Sequence, residues 1–238
     1  MKCEIKLAGQ AREISLSPDT RYRQIQMKKI LILILSLLFS SYTYANWYQV
    51  EIIVFEHLYP DTGGEQWYNN QGLPDVSNSV ELVTDKTGGR EAYQVLSSGQ
   101  HKINGVYSAL KSSRDYRPIM HIAWKQPGLT RSKAQYVHIR RTEGISDADS
   151  LQEDLVKVDG TVRLRGGHFL YLDIDLAYFF KSLPESMINS AMLDGNLTKQ
   201  ISDYTRLSES RKIKLNELHY FDHPLFGVIT WVRRLSTE

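Results

Sequence analysis

On either side of Gly166-Gly167 the apolar residues fall at every second position, Val162 and Leu164 before the pair and Leu170, Leu172, Ile174 and Leu176 after it. A period of two marks a strand with one buried face, and two such runs flanking a glycine pair make an antiparallel hairpin. A helix cannot use this pattern, because its period of ~3.6 would scatter these residues around the circumference. The alternation also limits the register. A two-residue Gly-Gly turn would set Arg163 opposite Leu170 and put charge on the apolar face. A three-residue loop, Gly166 to His168, pairs Leu164 with Leu170 and Val162 with Leu172, and is therefore expected. Its other face sets Arg163 across from Tyr171 and near Asp173.

More strands follow by the same reading. Trp47 to His57 places Val50, Ile52 and Val54 on one face, while the other passes from Gln49 and Glu51 to Ile53 and Phe55. A strand that becomes apolar on both faces belongs in the middle of a sheet. Tyr116 to Gln126 and Ala134 to Arg141 also alternate, and their proximity in sequence predicts a hairpin between them. Ile201–Glu209, Ile213–Tyr220 and Phe226–Leu235 complete the set. Ile103, Val106, Tyr107 and Leu110 have the spacing of an amphipathic helix within Gln100 to Ser112. Residues 181–199 read as loop with a short helix after Pro184. Pro60 to Ser79 reads as a surface loop carrying Trp67 and Tyr68, and the acidic stretch from Glu143 to Asp154 as a solvated loop or short helix. The expected fold class is α+β, mainly antiparallel sheet with one or two helices packed on it.

Composition matters once the start of the chain is set apart. Met27-Lys28-Lys29, an apolar run from Ile30 to Phe39, and a stretch ending at Ala45 form the pattern of a cleaved secretory signal peptide. A ten-residue helix covers only about half of a ~30 Å hydrocarbon core, so no stable membrane span is expected. Met27 is the expected initiator, with residues 1–26 an over-extended reading frame. The expected organisation is residues 1–45 as extension and signal peptide, and 46–238 as a single exported domain in the periplasm. Of 29 basic and 27 acidic side chains, the first 45 residues hold seven and three, which leaves 22 and 24 and a net charge of −2. Cys3, the single cysteine, goes with them. Export and a slightly acidic balance exclude nucleic acid as a partner.

Glu217, His219, Asp222 and His223 form the densest polar cluster. As an enzyme it would be a metal-dependent hydrolase, since imidazole and carboxylate suit zinc and acid-base steps. Pro224 works against helical geometry at His223, so the two histidines make no helical ligand face, and the plainer reading is turn chemistry in which Asp222 bonds its own backbone. Asp173 and Asp175 share a strand face, where Arg163 offers an ordinary ion pair. The chain lacks G-x-S-x-G, H-E-x-x-H, P-loop and dinucleotide glycine patterns. No enzyme activity and no cofactor or metal are expected. Aromatic side chains carry the remaining binding signal, because Trp and Tyr stack on sugar rings and on partner proteins. Trp67, Tyr68 and Trp124, with His219, Asp222 and His223, are the candidate binding residues. Trp124 and Trp231 have core positions as their alternative.

Four segments, WYQVEIIVFEH, YRPIMHIAWKQP, RLRGGHFLYLDIDLAYF and ESRKIKLNELHYFDHPLFGV, span most of residues 46–238 and together resemble the CsiV family of periplasmic peptidoglycan-binding proteins of Gram-negative bacteria. The last segment departs from the family pattern at Arg211-Lys212-Ile213, where Arg-Arg-Met is expected, and Lys lacks the planar fork of Arg. The resemblance implies binding to peptidoglycan and support of wall assembly, with the lipoprotein activator of a class A penicillin-binding protein as a suggested partner. It transfers no binding residues. A protein-interaction module of the envelope without glycan affinity is the other reading.

Overall fold

β1, Trp47–His57, is buried along nearly its whole length because both faces are covered. The computed structural model describes residues 26–29, 46–60, 72–84, 92–143, 155–193 and 204–236. The chain divides into two compact units, Met1–Tyr44 and Ala45–Glu238; in the first, residues 26–29 are helical. In the second, β1 is followed by β2 (Ser79–Val80), β3 (Gln94–Val95), α1 (Asn104–Ser112), β4 (Tyr116–Pro127), β5 (Tyr136–Glu143), β6 (Leu155–Arg165), β7 (Leu170–Pro184), α2 (Glu185–Leu193), β8 (Tyr204–Ile213), β9 (Leu218–His223) and β10 (Phe226–Leu235). The strands form two five-stranded sheets, ordered β3-β4-β1-β10-β9 and β2-β5-β6-β7-β8. All the strand pairs are antiparallel except β2 with β5. The fold class is α+β with predominantly antiparallel sheet, as the alternation implied.

The two sheets face each other. Val50, Ile52 and Val54 of β1 and Trp124 of β4 share one core with Val137 and Ile139 of β5, Val162 and Leu164 of β6, and Leu172, Ile174 and Leu176 of β7. The far side of β1 is also apolar in its second half, where Ile53 and Phe55 pack with Ile103, Val106, Tyr107 and Leu110, the stripe expected of α1. On the other sheet, Ile188 of α2 packs with Val156, Ala177, Phe179 and Tyr204. A bulge between Val156 and Val158 lets these two near-neighbours serve opposite faces. The layers are therefore helix, sheet, sheet, helix.

Three expectations need correction. β4 and β5 do not form a hairpin, because β4 lies between β1 and β3 in one sheet while β5 pairs with β6 in the other. Either pairing satisfies the alternation, but β4 has no free edge left for β5. The connecting segment crosses between the sheets, with Gly128 donating to Asn46 O (2.6 Å) and Leu129 O accepting from Gly166 (2.7 Å). The β6–β7 register is two residues beyond the expected one, Leu164 facing Leu172 and Val162 facing Ile174. A shift of two keeps the apolar face intact. The turn is wider because Gly166 bridges to Thr130, and Arg163 then stands directly opposite Asp173. Finally, β7 runs on to Pro184 and β8 to Ile213, so both exceed the expected strands, while a helix does follow Pro184. Most of the acidic stretch lies outside the described residues.

Candidate functional site

Gln49 and Glu51 are the polar half of β1's outer face, and both are fully buried. What covers them is the segment leading into α1. Ser97 opens a short 3-10 turn, Ser98–Gln100, by bonding the Gln100 side chain through its backbone N–H (3.1 Å) and its hydroxyl (3.0 Å). The next residues approach β1. Glu51 accepts the backbone N–H groups of Lys102 (2.8 Å) and Ile103 (3.1 Å), the His121 Nε2–H (2.7 Å) and the Gln49 amide (3.2 Å). A carboxylate at the start of a helix satisfies orphan donors and suits the positive end of the helix dipole. Burial pushes its pKa up, but the His121, Lys102 and Ile103 hydrogen bonds outweigh this and hold it below the ordinary Glu value. His101 moves down from the usual imidazole range, chiefly through burial and then the nearby His121.

Beside this platform lies a groove of about 390 Å³ lined by Gln49, Gln94, Gln100, Lys102, Lys125 and Arg233, with Gly99 and three apolar residues. Among the described residues its lining holds three cations and three amides and no carboxylate. The sheet register builds it. Gln49 lies between Lys125 on β4 and Arg233 on β10, so one cross-strand row points all three outward. Arg233 donates to Gln49 Oε1 (2.8 Å), and Gln49 donates to Gln100 O (3.1 Å), which ties the row to the α1 approach. Such a lining suits an anionic ligand, above all carboxylates, which the cations would bind by charge-assisted hydrogen bonds.

The preceding row, Tyr48 with Gln126 and Arg234, points the opposite way. There a second groove of about 370 Å³ is lined by Asn46, Tyr48, Gly128, Gly166, His168, Phe169 and Arg234, among others. Gly128 is required, since a Cβ there would stand 2.3 Å from the Tyr48 ring. Phe169 is 44% exposed, its ring beside His168 at 4.5 Å between centroids. Lys212 sets its ammonium 3.1 Å from the Phe169 centroid. The two grooves thus open on opposite faces of the same end of the β4–β1–β10 ladder.

The described residues among those singled out from sequence are not brought together. Trp67 and Tyr68 lie outside the described residues. Trp124 is completely buried between the sheets and donates to Gln126 (2.7 Å), so it has no face to offer a ligand and is a core residue. Trp231 is packed with Ile229 beneath α1. On β9, His219 and His223 share the inward face while Asp222 is exposed on the other. Four residues along a strand separate the two histidines by about 13 Å, too far for one ion. His219 Nε2 contacts the Lys214 backbone (N 3.1 Å, O 3.2 Å), and Glu217 pairs with Lys214 (3.4 Å). The turn acceptor is His223, not Asp222: His223 Nδ1 accepts the Leu225 N–H (3.2 Å), whereas Asp222 accepts from the Tyr220 hydroxyl. Asp173 is held by Arg163, Arg165 and Ser210, and Asp175 by Arg206. Neither resembles a catalytic carboxylate pair, because each already has its cations.

The grooves were missed because their residues come from four or five separate segments, none of them a local motif. The alternation of β1 held one usable clue: Gln49 and Glu51 on an otherwise apolar central strand require buried polar partners.

No curated protein and no solved structure matches the chain significantly. One family model does match, over residues 27–235, and its description is peptidoglycan-binding protein, CsiV. A match over that share of the sequence, on a fold whose strands run through the four resembling segments, places this chain in the CsiV family.

Proposed function

We propose that the protein binds peptidoglycan as a non-catalytic component of cell-wall assembly, and that the cationic groove beside α1 receives the acidic stem peptide. The observation that carries this is the lining of that groove: Lys102, Lys125 and Arg233 with three amides and, among the described residues, no carboxylate. They converge in a domain that carries a slight net negative charge. General attraction to an anionic polymer is therefore weak, and recognition rests on this local convergence. The second groove contributes sugar contact, an assignment favoured by the half-exposed Phe169 ring. Export to the periplasm by the segment ending at Ala45 completes the reading. The compact unit beginning at Ala45 supports it, as does the family match opening at Met27. Association with the lipoprotein activator of a class A penicillin-binding protein is the partner the family resemblance suggests, and cross-linking in cells tests it.

Sedimentation with purified sacculi tests the binding. The wild-type protein pellets with sacculi at low salt, and the double charge reversal Lys102→Glu, Lys125→Glu loses most of that binding while keeping the wild-type thermal midpoint. Failure of the wild type to pellet would overturn the wall-binding reading. Undiminished pelleting of the double variant would move the site elsewhere.

A further inference from the structure

Beneath α1, Glu51, His101 and His121 bring one oxygen and two nitrogen donors to within 4.8 Å of one another. We propose that these three residues form a binding site for a divalent cation of the zinc class. The chemistry of the donor set favours zinc over magnesium or calcium, since imidazole nitrogen with a single carboxylate suits the former and all-oxygen shells the latter.

The hydrogen bonds around the cluster suit a metal site. His101 Nε2 lies 3.3 Å from Leu96 O, and a carbonyl only accepts, so the proton is on Nε2. Nδ1 is then a bare lone pair, and it is a buried atom with no hydrogen-bond partner among the described residues. A histidine whose outer nitrogen is fixed on a backbone carbonyl and whose inner nitrogen is bare has the arrangement that metal-binding histidines use. His101 and His121 are in contact, their ring centroids 4.4 Å apart, and Tyr107 stacks on His121 at 5.0 Å. The His121–Glu51 hydrogen bond is the contact an ion would replace: the neutral His121 ring moves its single proton from Nε2 to Nδ1 by exchange with solvent, and the freed Nε2 lone pair and Glu51 Oε1 both turn to the metal. The Lys102 and Ile103 N–H groups remain on Glu51 as its outer support.

Tetrahedral zinc at ~2.0–2.1 Å from its ligands sets donors roughly 3.4 Å apart, so the 2.7 Å His121–Glu51 contact has to widen while separations nearer the 4.8 Å limit close. Three protein donors leave one position for water or an exogenous ligand. His101 stands between Gln100 and Lys102, two residues of the cationic groove.

The test is isothermal titration of the full-length chain, stripped with chelator, with zinc chloride at neutral pH. One-to-one binding at micromolar affinity or tighter is expected, with no heat from magnesium. His101→Phe keeps the ring volume and the wild-type thermal midpoint in chelator, and weakens zinc binding by about tenfold or more. His168→Ala leaves it unchanged. Zinc also raises the thermal midpoint of the wild type and not of His101→Phe. Absence of saturable binding, equal binding by His101→Phe, or loss of binding on His168→Ala would each overturn the proposal. None of these results depends on sacculus binding, so this site and the wall-binding reading fail separately.

Discussion

Asp173 shows how a charged side chain is made compatible with a half-buried sheet face. Burial raises its pKa, but hydrogen bonds from Arg165, Ser210 and Arg163 prevail and hold it below the ordinary Asp value. A depressed carboxyl contributes stability that is complete above the unfolded value near ~4 and is lost as pH falls through the folded one. Asp173→Asn should therefore cost about 1–3 kcal/mol at neutral pH, because Arg163 and Arg165 are left side by side. It should also flatten the acid limb of stability below pH ~5, measured by urea unfolding. An acid limb as steep as the wild type would refute this. His223 acts in the same direction at a higher pH. Burial lowers its pKa, partly offset by Asp222, and the neutral ring is needed because Nδ1 accepts the Leu225 N–H. Its stability is present above the usual His value of ~6.5 and is lost as pH falls below it. His223→Gln should reduce the drop in thermal midpoint between pH ~7.5 and ~5.5; equal drops would show that His223 is not responsible. Sequence reading marked His223 and Asp222 as one cluster. Their division onto opposite faces follows from β9 running on to His223, past the expected strand end at Tyr220, since neighbours in a strand alternate.

At the scale of elements, β6 holds the tightest constraint. Gly160 has φ +149°, and a Cβ there would lie 2.1 Å from Asp175 O on β7. Gly160→Ala should cost about 3 kcal/mol or more, read from chemical unfolding, since both the backbone conformation and the approach of β7 forbid a side chain. A loss under about 1 kcal/mol would mean the strand relaxes freely. β8 and β9 are the outer strands of their sheets, on the same side of the sandwich. Arg211 points inward there, over the Phe221 ring at 4.7 Å, and donates to Tyr220 O (2.6 Å) and Glu209. An inward charge on an edge strand resists edge-to-edge pairing with other chains. The strands were readable in sequence because period two survives any local context. The β4–β5 hairpin was misjudged because adjacency in sequence says nothing about which edge is already occupied.

The whole molecule is two sheets around one core with a helix on each outer face, and its stability should be graded accordingly. Amides of β1 between Val50 and Val54, paired on both sides and covered on both faces, should exchange slowest with deuterium, while those of β2, β3 and β9 should exchange fastest. Fast exchange in β1 would contradict its place at the centre of the first sheet. Wall binding through a cationic groove should weaken as salt rises, because interactions between exposed charges are screened beyond ~10 Å at 0.1 M. Sacculus binding insensitive to salt would argue for the aromatic groove as the main contact. The sequence by itself determined the antiparallel α+β class, the central position of β1 and the apolar stripe of α1, because periodicity is a property of neighbours along the chain. It did not determine which sheet each strand joined, nor the meeting of residues 49, 94–102, 125 and 233 around one groove. Those depend on strand order and on burial of the polar half of β1, which arise only when segments far apart in sequence compete for the same edges and the same buried hydrogen bonds.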